Sequence, residues 1–175
     1  PTVESRKIAD LLWFPTGGGK TEAYLGLIAF TMAMRRLTAP RYENGILSEQ
    51  AYGVTTIMRY TLRLLTIQQF QRATTLMCAC EYERRRDKNG MWGDLPFNVG
   101  LWVGLKTTPN LLTGKDNYNS AESTLSRWHR TGRRPKEPNP VQLLNCPWCG
   151  EKLDHKDYDW RADTKYQLPQ KCRAY

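Results

Sequence analysis

A 175-residue chain that is 40% apolar and 11% aromatic can bury a core, which excludes a disordered polyelectrolyte. Its length suits one domain, or one domain with a small appendage. No apolar run is long enough for a membrane span and no signal-peptide pattern opens the chain, so a cytoplasmic location with no membrane partner is expected. The net charge of +9 points to a polyanionic partner, although surface lysine and arginine also occur on proteins that touch no nucleic acid. Five cysteines, an odd number at unequal spacing, fit a reducing compartment and a metal site better than a disulfide framework. The chain has no initiator Met and closes on Lys171-Cys172-Arg173-Ala174-Tyr175 without a terminating element, so a piece of a longer protein is expected.

A short apolar run over residues 9–13 reads as a first strand. It leads into Phe14-Pro15-Thr16-Gly17-Gly18-Gly19-Lys20-Thr21, which opens a helix-forming stretch over residues 22–36. Strand, glycine loop, Lys-Thr and helix is the context of a P-loop. The loop amides and the positive end of the helix make a cradle for phosphate oxygens. Thr16, Gly17, Gly18, Gly19, Lys20 and Thr21 are thus the expected ATP-binding residues. Lys20 would reach the β- and γ-phosphates and the Thr21 hydroxyl would hold magnesium, which makes these two the catalytic candidates. Phe14 stands where the first consensus glycine would be. The competing reading is a glycine-rich turn that caps an ordinary helix.

Residues 21–37 are apolar or small at nearly every position, which predicts a helix buried on all sides against a sheet. Arg35 and Arg36 suit the negative pole of its dipole. Residues 38–52 read as a surface loop and residues 54–58 as a second, β-branched strand. Leu64, Ile67, Phe70, Ala73, Met77 and Cys80 then recur at helical spacing, which places Cys80, and Cys78 beside it, as core thiols. That helix ends in Arg84-Arg85-Arg86 and Gly90; a solvated helix end is favoured over a DNA contact for the arginines. Phe97, Val99, Leu101, Val103 and Leu105 alternate as a third strand. The alternation of strands and helices predicts an α/β fold with a parallel sheet. From residue 106 to 140 the pattern fades: a short amphipathic helix is expected over 120–129, then a basic, Pro-rich linker over 130–142.

Asn145-Cys146-Pro147-Trp148-Cys149-Gly150 has the form of a zinc knuckle, in which two thiolates share a metal and a glycine permits the tight turn. A redox pair is the alternative, but no thioredoxin-like unit surrounds it. Cys172 is the expected third ligand. The fourth is expected beyond Tyr175, with His155 as a lesser option. Zinc here would be structural, holding a small segment that lacks room for a core. The expected domains are 1–129, the linker 130–142, and a zinc-binding insertion over 143–175.

The stretch from Leu12 through the glycine loop to Gly26 is similar to motif I of superfamily 2 helicases, where the slot of Phe14 is often alanine. More narrowly it resembles the DrmA-like helicase subunits of prokaryotic DISARM antiphage defence systems. Arg59-Tyr60-Thr61-Leu62-Arg63-Leu64-Leu65-Thr66-Ile67-Gln68-Gln69-Phe70 resembles that family's motif Ia, and Cys146–Gly150 resembles its cysteine insertion. The resemblance implies a partial RecA-like P-loop domain with a zinc-ribbon-like insertion, and ATP, magnesium and zinc as cofactors. It also implies contact of Thr61, Arg63 and Gln68 with a DNA backbone. Its partners would be DNA, the remainder of the helicase chain and a DISARM subunit. No Walker B acidic pair and no second motor domain occur in these residues, so this stretch alone is not expected to hydrolyse ATP. Two other readings stay open: a basic zinc-ribbon module that binds nucleic acid with a non-functional P-loop, and a P-loop kinase, which leaves motif Ia unexplained.

Overall fold

The computed structural model describes residues 19–60, 63–114, 120–136, 138–154 and 157, with side chains from residue 66 onward in the second helix. Three helices order these residues: α1 (Lys20–Thr38), α2 (Arg63–Arg86) and α3 (Ala121–Thr131), with a short 3-10 turn at Glu49–Ala51 between the first two. The chain divides into two units, Pro1–Thr56 and Ile57–Tyr175.

In the first unit, Gly19 sits in the left-handed region at φ 74° and hands the chain into α1. A β-carbon is disfavoured there, which is why glycine precedes the helix. Far from being buried on all sides, α1 leaves Leu27 58%, Phe30 62% and Leu37 48% exposed. Its one fully buried residue is Arg36, whose guanidinium lies 5.5 Å from the Tyr52 ring centroid. Arg35 donates to the Gln50 and Val54 carbonyls at 2.9 and 3.0 Å. Both arginines, legible in sequence only as partners of the helix dipole, therefore hold the segment that follows. Residues 38–52 are more than a surface loop: Tyr42 N–H donates to Ile46 O and Ser48 N–H to Pro40 O, both at 2.9 Å, and Leu47 and Ala51 are buried.

In the second unit, α2 buries Ala73, Thr74 and Met77, and its inner stripe then becomes polar at Glu81 and Arg84. Cys78 and Cys80 are half-buried rather than core thiols. The Glu81 carboxylate accepts from Arg84 at 2.9 Å and from the backbone N–H of Phe97. Arg84 in turn donates to the carbonyls of Gly93 and Asp94 at 3.3 and 3.2 Å. A pair at i and i+3 thus staples residues 93–97 to the helix. Of the three arginines, Arg85 is a solvated helix end, whereas Arg84 is structural and Arg86 lies 5.1 Å from the Tyr82 ring centroid.

The shortest of the three α-helices carries a buried apolar cluster. Ser120 caps α3 by accepting from Ser123 N–H at 3.1 Å, and Gly132 ends it in the left-handed region at φ 64°. Ala121, Thr124, Leu125 and Trp128 recur at helical spacing and are buried, and Leu125 and Trp128 close on Val141.

The expected α/β fold is not formed. Among the described residues there is no strand, only isolated bridges at Arg41–Leu47, Leu111–Ser120 and Asn145–Lys152. Residues 54–58 and 97–105, expected as the second and third strands, make no ladder, and Val54, Ile57 and Trp102 are 78%, 84% and 98% exposed. Alternation predicts an extended backbone, but a strand also needs a neighbour to take its N–H and C=O groups. The parallel, RecA-like sheet therefore has no counterpart here; the first expected strand, residues 9–13, lies outside the described residues.

Candidate nucleotide site and cysteine knuckle

Of the expected ATP-binding residues, Thr16, Gly17 and Gly18 lie outside the described residues. Gly19, Lys20 and Thr21 form the junction of the loop with α1, where Lys20 and Thr21 are half-buried in the first turn. The Gly19 carbonyl accepts the Ala23 N–H at 3.1 Å, closing the first turn, and glycine brings no capping side chain. Among the described residues, a β-carbon built on Gly19 would meet nothing within 4 Å. That arrangement can receive a phosphate group: helix amides point outward at the positive pole, with a lysine and a hydroxyl beside them.

Thr61 lies outside the described residues, as does the Arg63 side chain. Arg63 is the first residue of α2, and Gln68 is exposed on the second turn.

Around the cysteines the backbone closes a compact knuckle. Cys146 N–H donates to Glu151 O at 2.7 Å, Gly150 N–H to Cys146 O at 2.9 Å, and Leu153 N–H to Leu144 O at 2.9 Å. Gly150 has φ 77°, and its carbonyl accepts the Asn145 side-chain amide at 2.8 Å. The two arms meet at the Asn145–Lys152 bridge. This turn presents Cys146 and Cys149, both half-buried thiols, as two of the four donors that a tetrahedral zinc site needs. Cys172 and His155 lie outside the described residues, and among the described residues no group of three or more metal-ligating side chains gathers. The knuckle thus fits half of a zinc site.

One contact was not foreseen from the sequence. Trp148, between the two cysteines, stacks on Tyr82 of α2 with centroids 5.4 Å apart and planes at 30°. The only sequence signal was an aromatic residue inside a Cys-x-x-Cys turn. Glu81 beside it has its carboxyl affected by burial, which raises its pKa. The hydrogen bonds from Arg84 and Phe97 and the charges of Arg84 and Arg85 outweigh burial and hold it below the ordinary value.

The chain is similar to DISARM protein DrmA. Identity to DrmA of Bacillus paralicheniformis (strain ATCC 9945a / NCIMB 11709 / CD-2) is 43% over 166 residues, covering 93% of the chain. The chain spans only 14% of DrmA's length, so it corresponds to a segment of that longer protein. No family model matches the chain. Among the described residues, no helix is long and apolar enough to cross a membrane.

Proposed function

We propose that this chain is the ATP-binding portion of a DNA helicase or translocase that acts in DISARM antiphage defence. The observation that carries the reading is the Gly19 junction: a left-handed glycine delivers Lys20 and Thr21 to the first turn of α1, inside a chain similar to DrmA. The reading rests on the loop and the helix it opens.

In this reading the amides following Gly17, Gly18 and Gly19 bind the phosphates of ATP, and Lys20 neutralises charge on them. The Thr21 hydroxyl would hold magnesium, which when bound would supply Lewis-acid stabilisation of the phosphoryl oxygens. Thr61, Arg63 and Gln68 contact the DNA backbone, so binding there is independent of sequence and sensitive to salt. Cys146 and Cys149, with Cys172, hold a structural zinc. Groups that position water and complete hydrolysis come from elsewhere in the longer protein, and a DISARM partner subunit is a separate chain that acts with it.

The test is DNA-stimulated ATP hydrolysis by the full-length protein, wild type beside Lys20→Ala. Turnover should fall by at least about 100-fold with the fold retained, since a P-loop lysine acts on transition-state charge. Turnover that survives the substitution would instead favour the reading as a basic module that binds nucleic acid.

A further inference from the structure

The basic segment 130–142 is given no task by the motor reading. Within it, Arg130, Arg133, Arg134 and Lys136 stand against the single acid Glu137, four positive charges less one negative, or +3. Arg134, Pro135, Lys136, Asn139, Val141 and Gln142 line a groove of about 460 Å³.

The groove is built rather than merely charged. Asn139 is buried; its side-chain amide donates to Pro135 O at 3.0 Å and its side-chain oxygen accepts from Val141 N–H at 2.9 Å. The Asn139 backbone N–H donates to Thr107 O at 2.9 Å, which ties the groove to residues far away in sequence. Gln142 donates to Asn139 O at 2.7 Å. Val141 is locked in the core with Leu125 and Trp128. On the rim, one guanidinium nitrogen of Arg134 donates to Val141 O at 3.0 Å, so the cation is aimed while its side chain stays exposed. Pro135, Pro138 and Pro140 restrict the backbone further.

Among the described residues that line this space are two cations and two side-chain amides and no carboxylate, while Glu137 lies outside the described residues. Such a lining selects an anion, and a pre-aimed guanidinium suits phosphate oxygens. Among the described lining residues no aromatic side chain is present to stack a base. We propose that this groove binds the phosphodiester backbone of a nucleic-acid strand, with Arg134 and Lys136 pairing with phosphates. The proposal deepens the reading as a DNA-acting protein by adding a contact surface outside the motif Ia residues.

Lys136 is exposed, so Lys136→Glu leaves the Val141 core intact. The test uses the full-length protein and fluorescence anisotropy of a labelled single strand at roughly 50 and 200 mM salt. Lys136→Glu should weaken binding roughly five- to tenfold at the lower salt and reduce the salt slope by about 1, with Lys136→Gln between it and wild type. Unchanged affinity and slope, or no binding of the strand by wild type, would overturn the proposal. So would a Lys136-dependent site for inorganic phosphate alone, seen by calorimetry, that leaves strand binding untouched. The two readings separate cleanly. If Lys20→Ala abolishes ATP turnover while Lys136→Glu binds DNA normally, the groove proposal falls and the motor stands; the reverse pair of results leaves the groove standing without the motor.

Discussion

Helix α1 carries many more apolar side chains than α3, yet α3 builds the better core. Along α1 the apolar residues surround the helix, and what is fully buried is Arg36. Along α3 only Ala121, Leu125 and Trp128 are apolar and buried, but they share one face with Thr124 and meet Val141. Burial follows from arrangement against a partner rather than from apolar content. A helix that is apolar all round gains little from its composition until something packs on it, whereas a narrow stripe gains fully from one good neighbour.

The sharpest way to test that difference is to empty the α3 core. Trp128→Ala should cost about 3–5 kcal/mol, through lost burial and the cavity left beside Leu125 and Val141. Denaturant unfolding followed by circular dichroism would register it as a lower midpoint; a midpoint unchanged from wild type would mean that α3 contributes no core.

Next in size is the polar staple on α2. Glu81→Ala should cost about 1–3 kcal/mol, because Arg84 and the Phe97 N–H lose a charged acceptor. The pH dependence has a definite sign. Since the folded state holds the Glu81 carboxyl below its ordinary value, the ionised form is favoured by folding. Its contribution is present above the ordinary carboxylate range and is lost as pH falls through the lowered folded value. Melting of wild type beside Glu81→Gln should therefore differ at neutral pH and converge in acid; a gap that widens in acid would refute the staple.

The smallest effect belongs to α1. Phe30 is 62% exposed, so Phe30→Ser should change stability by no more than about 0.5 kcal/mol. A loss near that of Trp128→Ala in the full-length protein would show that α1 is covered there, and would reduce the contrast between the two helices to one of available partners.

Much of the candidate site was readable in advance because it is local. Positive φ at Gly19 and Gly150 is what a loop-to-helix junction and a Cys-x-x-Cys turn demand of glycine. What escaped sequence reasoning joins residues distant in the chain: Trp148 on Tyr82, Arg84 on Gly93 and Asp94, and Asn139 on Thr107. The last of these lies in the region where periodicity fades. Its core is made by one helical face and an irregular segment, which have no common repeat to detect.

From the sequence alone came the three helices, the glycine at the start of α1, the knuckle and the positive balance of residues 130–142. Each depends on spacing within one stretch of chain, and spacing is written in the residues themselves. Tertiary structure alone decided that residues 54–58 and 97–105 form no sheet, that Arg35, Arg36 and Arg84 fasten neighbouring segments, and that the basic segment folds into a groove. Those outcomes turn on which group is available to accept a hydrogen bond or cover a side chain, and a partner is a property of three dimensions.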